Sequence, residues 1–454
     1  MDAIQQLLEQ ISDVVWGLPL LILLVGTGIY LTIRLGVIQL RSLPYALKLS
    51  FSRNQDQTSE GDISHFQALT TASAATVGTG NIVGVATAVV LGGPGAVFWM
   101  WLAGFFGMAT KYGEAILAVK YRTKDAKGEM AGGPMYYLEH GLKQKWLGVL
   151  FAAFGALAAF GIGNGTQSKA IADLMYDTFS VPMWVSGLVL LIFVGLVVIG
   201  GIKWIGRVTA FFVPIMAIFY IIAGLLVMIV NINHVPEAFA TIFSAAFSGE
   251  AVGGGAIGAA IRFGVARGLF SNEAGLGSAP IAAAAAKTDV PGRQALVSMT
   301  QVLFDTLIIC SITGITIVMS GLWQDGSIEA GVLTASAFGV LLGDIGPYLI
   351  TIGLLFFASS TILGWAYYGE KCFQYLFQSI TAIRAYRIIF VLFIFIGATA
   401  TLDAVWALAD VLNGLMAIPN LIGLLGLSGI IVIETKRFQE KLKKEREGAK
   451  KTVS

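Results

Sequence analysis

Long apolar runs alternate with short polar connections along this chain. Most runs are about 20 residues long, the length at which a helix crosses the hydrocarbon of a bilayer. About eleven are legible, over residues 16–33, 65–91, 95–119, 147–177, 181–200, 208–230, 251–286, 295–320, 347–377, 387–402 and 405–433. A soluble core holds a few such helices, not so many in one chain. The pattern predicts an all-α polytopic membrane protein of about eleven transmembrane helices. Two runs carry the same flaw. Ala74-Ala75-Thr76-Val77-Gly78-Thr79-Gly80-Asn81 interrupts the second, and Phe270-Ser271-Asn272-Glu273-Ala274-Gly275-Leu276-Gly277-Ser278-Ala279-Pro280 interrupts the seventh. Glycine, proline and small polar residues there predict two discontinuous helices. Their freed N–H and C=O groups need new partners in lipid, which an ion or a solute can supply.

The flawed runs are five spans apart. Because five is odd, the two copies face opposite ways. This predicts a five-plus-five inverted repeat, spans 2–6 and 7–11, with the first span as an N-terminal addition. The third members of the two sets are both polar, with Asn164-Gly165-Thr166-Gln167-Ser168 in one and Ser359-Ser360-Thr361 then Gly364-Trp365 in the other. The expected units are 1–60, an extra helix with a cytoplasmic loop; 61–232, the first repeat; 233–433, an outer interfacial helix and the second repeat; and 434–454, a charged cytoplasmic tail.

Charge orients the spans. Of the 29 basic residues, 26 fall at or near alternate loops, Arg53, Lys111 and the tail from Lys436 to Lys451 among them. Lys169, Arg262 and Arg267 lie inside apolar runs, and the opposite loops carry none. The positive-inside rule then puts the N-terminus outside and the C-terminus in the cytoplasm of a multi-pass cell-membrane protein. Residues 236–249 place Phe239, Ile242, Phe243, Ala246 and Phe247 on one helical face, as in a helix lying on the outer surface. The acidic start, MDAIQQLLEQISDVV, lacks the positive charge of a secretory signal.

Composition agrees with a membrane chain. Charged residues make up 12% and hydrophobic ones 56%, with a mean hydropathy of +0.79, against about 25% charged in soluble domains. The two cysteines and three scattered histidines give no disulfide framework and no zinc spacing. No cofactor is expected beyond an ion, and neither nucleic acid nor an obligate protein partner is indicated.

At the first break a new half-helix begins near Asn81. The N–H groups of Thr79 and Gly80, at its positive dipole end, suit a carboxylate. The preceding half-helix ends near Ala74–Val77, where free carbonyls suit a small cation. Na⁺ prefers hard oxygens, and the Ser360 and Thr361 hydroxyls complete the set if span 9 lies beside span 2. At the second break Ser271 and Asn272 either bind an amino group or line the pocket. Glu273, a carboxylate deep in a span, is functional by default. Three roles are open to it: cation partner, proton carrier, or a gate paired with Arg262 or Arg267. Asp305 and Gln301 carry the same ambiguity. Phe270 and Trp365 adjoin the two polar clusters and would close a small apolar pocket. Lys169 and Asp173, four apart, predict a surface ion pair.

Several stretches resemble the sodium:alanine symporter family, the alanine/glycine:cation symporters. They are Gly92-Gly93-Pro94-Gly95-Ala96-Val97-Phe98-Trp99-Met100-Trp101-Leu102-Ala103-Gly104-Phe105-Phe106-Gly107, Ala75–Ile82, Gly268–Gly275 and Thr361–Glu370. The resemblance covers essentially the whole chain. It implies the leucine-transporter-type fold and Na⁺-driven uptake of alanine or glycine. It also implies Na⁺ held by the Ala74 and Val77 carbonyls with Ser360 and Thr361. By the same likeness, the N–H groups of Thr79 and Gly80 in Val77-Gly78-Thr79-Gly80-Asn81 hold the substrate carboxylate. Asn164 and Gln167 join the expected site through their place in the repeat.

The partners expected are thus a small neutral amino acid, Na⁺ and the bilayer. Two other classes compete. An intramembrane enzyme needs a midplane dyad or metal motif, which is missing from the sequence. A channel needs a pore about an axis, whereas an inverted repeat encloses its own site.

Overall fold

Without water to satisfy them, backbone groups in lipid must pair within helices, and the chain obeys this almost throughout. The computed structural model describes residues 2–52, 58–125, 127–247, 256–325, 328–400 and 403–453. Arg53, the start of the seventh predicted span (251–255) and the end of the predicted interfacial helix (248–249) lie outside the described residues.

Among the described residues, seven helices are long and apolar enough to cross a bilayer, and the bent pair His65–Thr76 and Gly80–Gly92 adds an eighth. Three more predicted spans fall short on hydropathy or length alone. Gly95–Lys120 carries buried charge, Met183–Ile199 has 17 residues, and the last is broken into Ala256–Asn272 and Pro280–Ala284. The helices fall where the hydrophobic pattern puts eleven.

The two breaks differ in shape. Ser64 opens the first helix with a reciprocal cap, its hydroxyl accepting from Gln67 N–H while the Gln67 side chain accepts from Ser64 N–H. The helix stops at Val77, whose backbone is extended (φ −80°, ψ 96°). After a 55° bend the chain resumes through a wide π-turn, Gly80–Gly84. The second break is a longer loop, with Glu273, Gly275 and Gly277 in left-handed conformations (φ 56°, 90° and 86°). Glycine adopts these freely, whereas Glu273 does so at a cost of about 1–2 kcal/mol.

In both halves the longest connection joins the second and third members. In the first it is a small hairpin pairing Thr123–Lys124 with Met130–Ala131. In the second it contains a helix, Ala330–Leu342, in a stretch that reads as a loop. Four other boundaries depart from the pattern. A separate helix, Asp2–Val15, precedes the first span. The helix Ile380–Thr399 starts early enough to include Arg384 and Arg387. Gly201–Val230 also begins early. The run 405–433 divides into Asp403–Gly426 and Ser428–Val453. The interfacial helix, Val235–Phe247, is only partly superficial. Ile242 and Ala246 are buried, and Phe239 and Phe243 pack on Trp101 at 6.1 and 6.0 Å between ring centres.

Ile345–Phe377 lies at the centre and is mostly buried, whereas Ile380–Thr399 at the periphery is mostly not. Glycines let it approach the first break. A Cβ on Gly364 would sit 2.7 Å from the backbone of Ala75, and one on Gly163 would strike Trp365. Gly364→Leu should therefore force the two helices apart, giving a large fall in the thermal unfolding temperature in detergent or no monodisperse protein. A wild-type melting curve would refute this contact.

Candidate functional site

Freed backbone groups at the first break face the central helix. The Ser360 hydroxyl donates to Ala74 C=O at 3.3 Å and the Thr361 hydroxyl to Val77 C=O at 3.2 Å. Both hydroxyls also reach Phe357 C=O, at 2.8 and 3.0 Å. Hard oxygens of Ala74, Val77, Ser360 and Thr361 thus converge in a buried place. Gly78 lies so close that a Cβ on it would collide with the Thr361 hydroxyl. This donor set fits Na⁺, a hard cation.

Gln167 clasps the next residue. Its Oε1 accepts from Thr79 N–H at 3.2 Å while its Nε2 donates to the Thr79 hydroxyl at 2.9 Å. The N–H expected to meet a carboxylate therefore meets a side-chain carbonyl of similar shape. Gly80 faces the second break. A Cβ there would lie 3.3 Å from Ser271 Cα and 3.7 Å from the Phe270 ring.

Asn81 turns back and holds the bend. Its Oδ1 accepts from Gly78 N–H at 2.9 Å, and its Nδ2 donates to Asp305 Oδ1 at 2.8 Å. Carbonyls loosened by the π-turn are capped from the other repeat, Asn81 C=O by Thr313 at 2.8 Å and Ile82 C=O by Thr334 at 3.0 Å. Asp305 also accepts from Ser271 at 3.0 Å and Thr306 at 2.8 Å. This fully buried carboxylate ties the two breaks together.

Asn164 stands apart from this cluster. Its amide donates to Phe390 C=O at 2.6 Å, which anchors the neighbouring helix Ile380–Thr399. Asn272 braces its own loop, accepting from Ala274 N–H at 2.9 Å and donating to Thr306 at 3.0 Å. Glu273 does not pair with either arginine. Trp365 Nε1 donates to it at 3.0 Å and Ser278 donates to its other oxygen. Arg262 pairs with Asp13 at 3.1 Å, and Arg267 lies over the Phe270 ring, 5.8 Å from its centre. Lys169 and Asp173 form the expected surface pair.

Three participants escape the sequence pattern. Glu114, from the helix Gly95–Lys120, accepts from Gly275 N–H and Gly277 N–H, both at 3.1 Å. Asn420 donates to Glu114 and to Gly275 C=O, both at 2.8 Å. Lys111, which the charge pattern places near a loop, is buried in the middle of that same helix. An acid and a base inside an apolar run were the signal; the flanking loop charges obscured it.

The two ends of the site are closed differently. At the end bearing the basic loops, Arg122 donates to Ala284 C=O (3.0 Å), Ala286 C=O (2.6 Å) and Glu60 C=O (2.8 Å). At the other end the helix Asp2–Val15 packs against Asp403–Gly426. Ser12 donates to Asp410 at 2.5 Å, and Trp16 packs edge-on to Phe270 at 6.3 Å. A cavity of about 90 Å³ remains there, with Asp410, Arg267 and Phe270 in its wall.

The whole chain matches one family model, that of the sodium:alanine symporter family, over residues 1–452. The chain belongs to the sodium:alanine symporter family. It is thus a multi-pass membrane transporter for sodium-coupled amino-acid symport, not an enzyme. It is 60% identical to the sodium/alanine symporter AgcS of Methanococcus maripaludis, over 98% of this chain and 99% of that one. It is 36% identical to the amino-acid carrier protein AlsT of Bacillus subtilis, over 96% and 92%. Among solved structures it resembles MhsT in complex with L-phenylalanine, with a TM-score of 0.58 at 16% identity, over 83% of this chain and 98% of that one. That likeness carries the fold, the leucine-transporter type.

Two substitutions probe the first break. Thr361→Ala removes one hydroxyl from the oxygen cluster. A hydrogen bond to a charged group contributes about 1.5–3 kcal/mol, so the half-saturating Na⁺ concentration should rise about tenfold or more while amino-acid selectivity holds. Na⁺ titration of substrate binding measures it. Gly80→Val drives a branched side chain towards Ser271 and should abolish amino-acid binding in folded protein. Normal amino-acid affinity at saturating Na⁺ would remove Gly80 from the site.

Proposed function

We propose that this symporter moves alanine, and glycine as a smaller substrate, into the cell with Na⁺ by alternating access. The observation that carries this reading is the join at residues 74–80. A cluster of hard oxygens and a helix N-terminus lie within one turn of each other, so a cation and a carboxylate stabilise one another across the break. AgcS, the 60% identical relative, is named for sodium and alanine. The Ala74 and Val77 carbonyls with Ser360 and Thr361 hold Na⁺. The carboxylate takes the N–H groups of Thr79 and Gly80 by displacing the Gln167 carbonyl from Thr79. Gly78 leaves room for that exchange, and Asn81 holds the bend. Phe270, Ser271 and Trp365 restrict the side chain to a small one, and Asn272 shapes the loop beneath.

Access alternates as the packing changes around a core drawn from both repeats, 61–232 and 233–433. The basic loops make the Arg122 end cytoplasmic, with the N-terminus outside. Inward release then requires Arg122 to let go of the Ala284 and Ala286 carbonyls. Outward opening requires Trp16 to leave Phe270. Both oxygens of Glu273 are held inside the loop, one by Trp365 and the other by Ser278, which favours a bracing role at the second break.

The test is uptake of radiolabelled alanine into proteoliposomes under an inward Na⁺ gradient at constant pH, with a panel of unlabelled amino acids as competitors. Na⁺ should stimulate uptake, and alanine and glycine should compete best. Absence of Na⁺ stimulation would sink the sodium reading, and stronger competition by large amino acids would sink the small-pocket reading.

A further inference from the structure

Lys111 is 1% exposed, and its Nζ has no hydrogen-bond partner among the described residues. An ammonium left so in a membrane core costs several kcal/mol unless something compensates it. Its helix shows where the compensation lies. A Cβ on Gly107 would sit 3.0 Å from Ala274 Cβ, and Thr110 lies 3.7 Å from where one on Gly275 would be. Glu114 binds the N–H groups of Gly275 and Gly277. Lys111 is four residues after Gly107 and three before Glu114, so all three share one face of the helix, and that face covers the second break. Glu114 lies one turn further along that face, and Glu273 lies in the loop that the face covers.

Two further buried atoms there lack partners among the described residues, Glu114 Oε2 and the Tyr368 hydroxyl. Tyr368 is next to Trp365, the donor to Glu273, at 5.8 Å between rings. An orphan donor, an orphan acceptor and an orphan hydroxyl thus belong to residues packed about one loop. Such groups are ordinarily joined by enclosed water, each molecule making about three hydrogen bonds.

We propose that Lys111 is a tethered counter-cation. Its ammonium, joined through enclosed water to Glu114 and Glu273, does for the second break what Na⁺ does for the first. Lys111 is therefore a positioning residue, holding the loop carboxylate of Glu273 near Glu114 of its own helix without a free ion. Removing it leaves a vacancy that suits a monovalent cation. Its transport readout rests on the function proposed above.

The test compares Lys111→Met, Glu273→Gln and the double variant in thermal unfolding and Na⁺-driven alanine uptake. Lys111→Met should melt lower, and its uptake at low Na⁺ should fall about tenfold or more, since breaking a buried charge pair is strongly destabilising. Raising Na⁺ should restore uptake, with a steeper Na⁺ dependence than wild type. The double variant should regain both the melting temperature and the wild-type steepness, because loss of the second charge removes the need for the first. Wild-type melting and Na⁺ dependence in Lys111→Met would overturn the proposal. So would a double variant no better than the single one, or one that does not fold, which would make Lys111 a packing residue. If wild-type protein takes up no alanine, the proposed function has failed, and the melting comparison still decides the role of Lys111.

Discussion

Two helices of this protein stop in the middle of a membrane, and the backbone groups they release must be satisfied there. An unsatisfied N–H or C=O in hydrocarbon costs several kcal/mol, so each break dictates what surrounds it. At the first break the released carbonyls of Ala74 and Val77 draw Ser360 and Thr361 from the central helix. At the second the released N–H groups of Gly275 and Gly277 draw Glu114. Close packing follows from this demand. Gly364 and Gly163 are glycines because the central helix must come near enough for its hydroxyls and indole to reach.

The two breaks solve the same problem with opposite kinds of partner. Hydroxyls can turn away from a carbonyl when a cation arrives, so the first break is closed by groups that leave easily. Gln167 on Thr79 belongs to the same class, a neutral amide that a carboxylate can replace. The second break is closed by Glu114, a charged acceptor with two N–H donors and the Asn420 amide on one oxygen. Charge-assisted bonds of this kind are roughly twice as strong as neutral ones. The exchangeable break is thus suited to ligands and the fixed break to scaffolding. Asp305 joins the two through Asn81 and Ser271, so a change at one is felt at the other.

Much of this was legible in the sequence, and the remainder was hidden for definite reasons. Membrane class and helix order followed from apolar runs, and the break positions from Gly78, Gly80, Gly275 and Gly277, because lipid permits few alternatives. The pairing of residues 74 and 77 with 360 and 361 was legible through the family resemblance, which implies that span 9 lies beside span 2. Asn164 and Gln167, one turn apart, read alike, yet one holds a neighbouring helix and the other meets the break. Only the rotation of that helix separates them, and a π-turn at Gly161–Gly165 alters the rotation. For Glu273 the sequence left three roles open, one of them a gate paired with Arg262 or Arg267. The left-handed turn at Glu273 instead aims it at Trp365, a direction that composition cannot encode.

Buried charge constrains how such a molecule can move. Glu114, Glu273, Asp305 and Lys111 come from three separate spans and are all nearly or fully out of solvent. Separating them during a change of access would strand a charge in low dielectric, at a cost no single ligand contact repays. Helices carrying them must then travel as one body, and the flexing must occur where no charge is buried. Such places exist at the rim. Arg122 grips backbone carbonyls rather than acids, and Trp16 touches Phe270 through ring edges. Those contacts can be broken and remade in water at either surface, which leaves the charged centre intact while access passes from one side to the other.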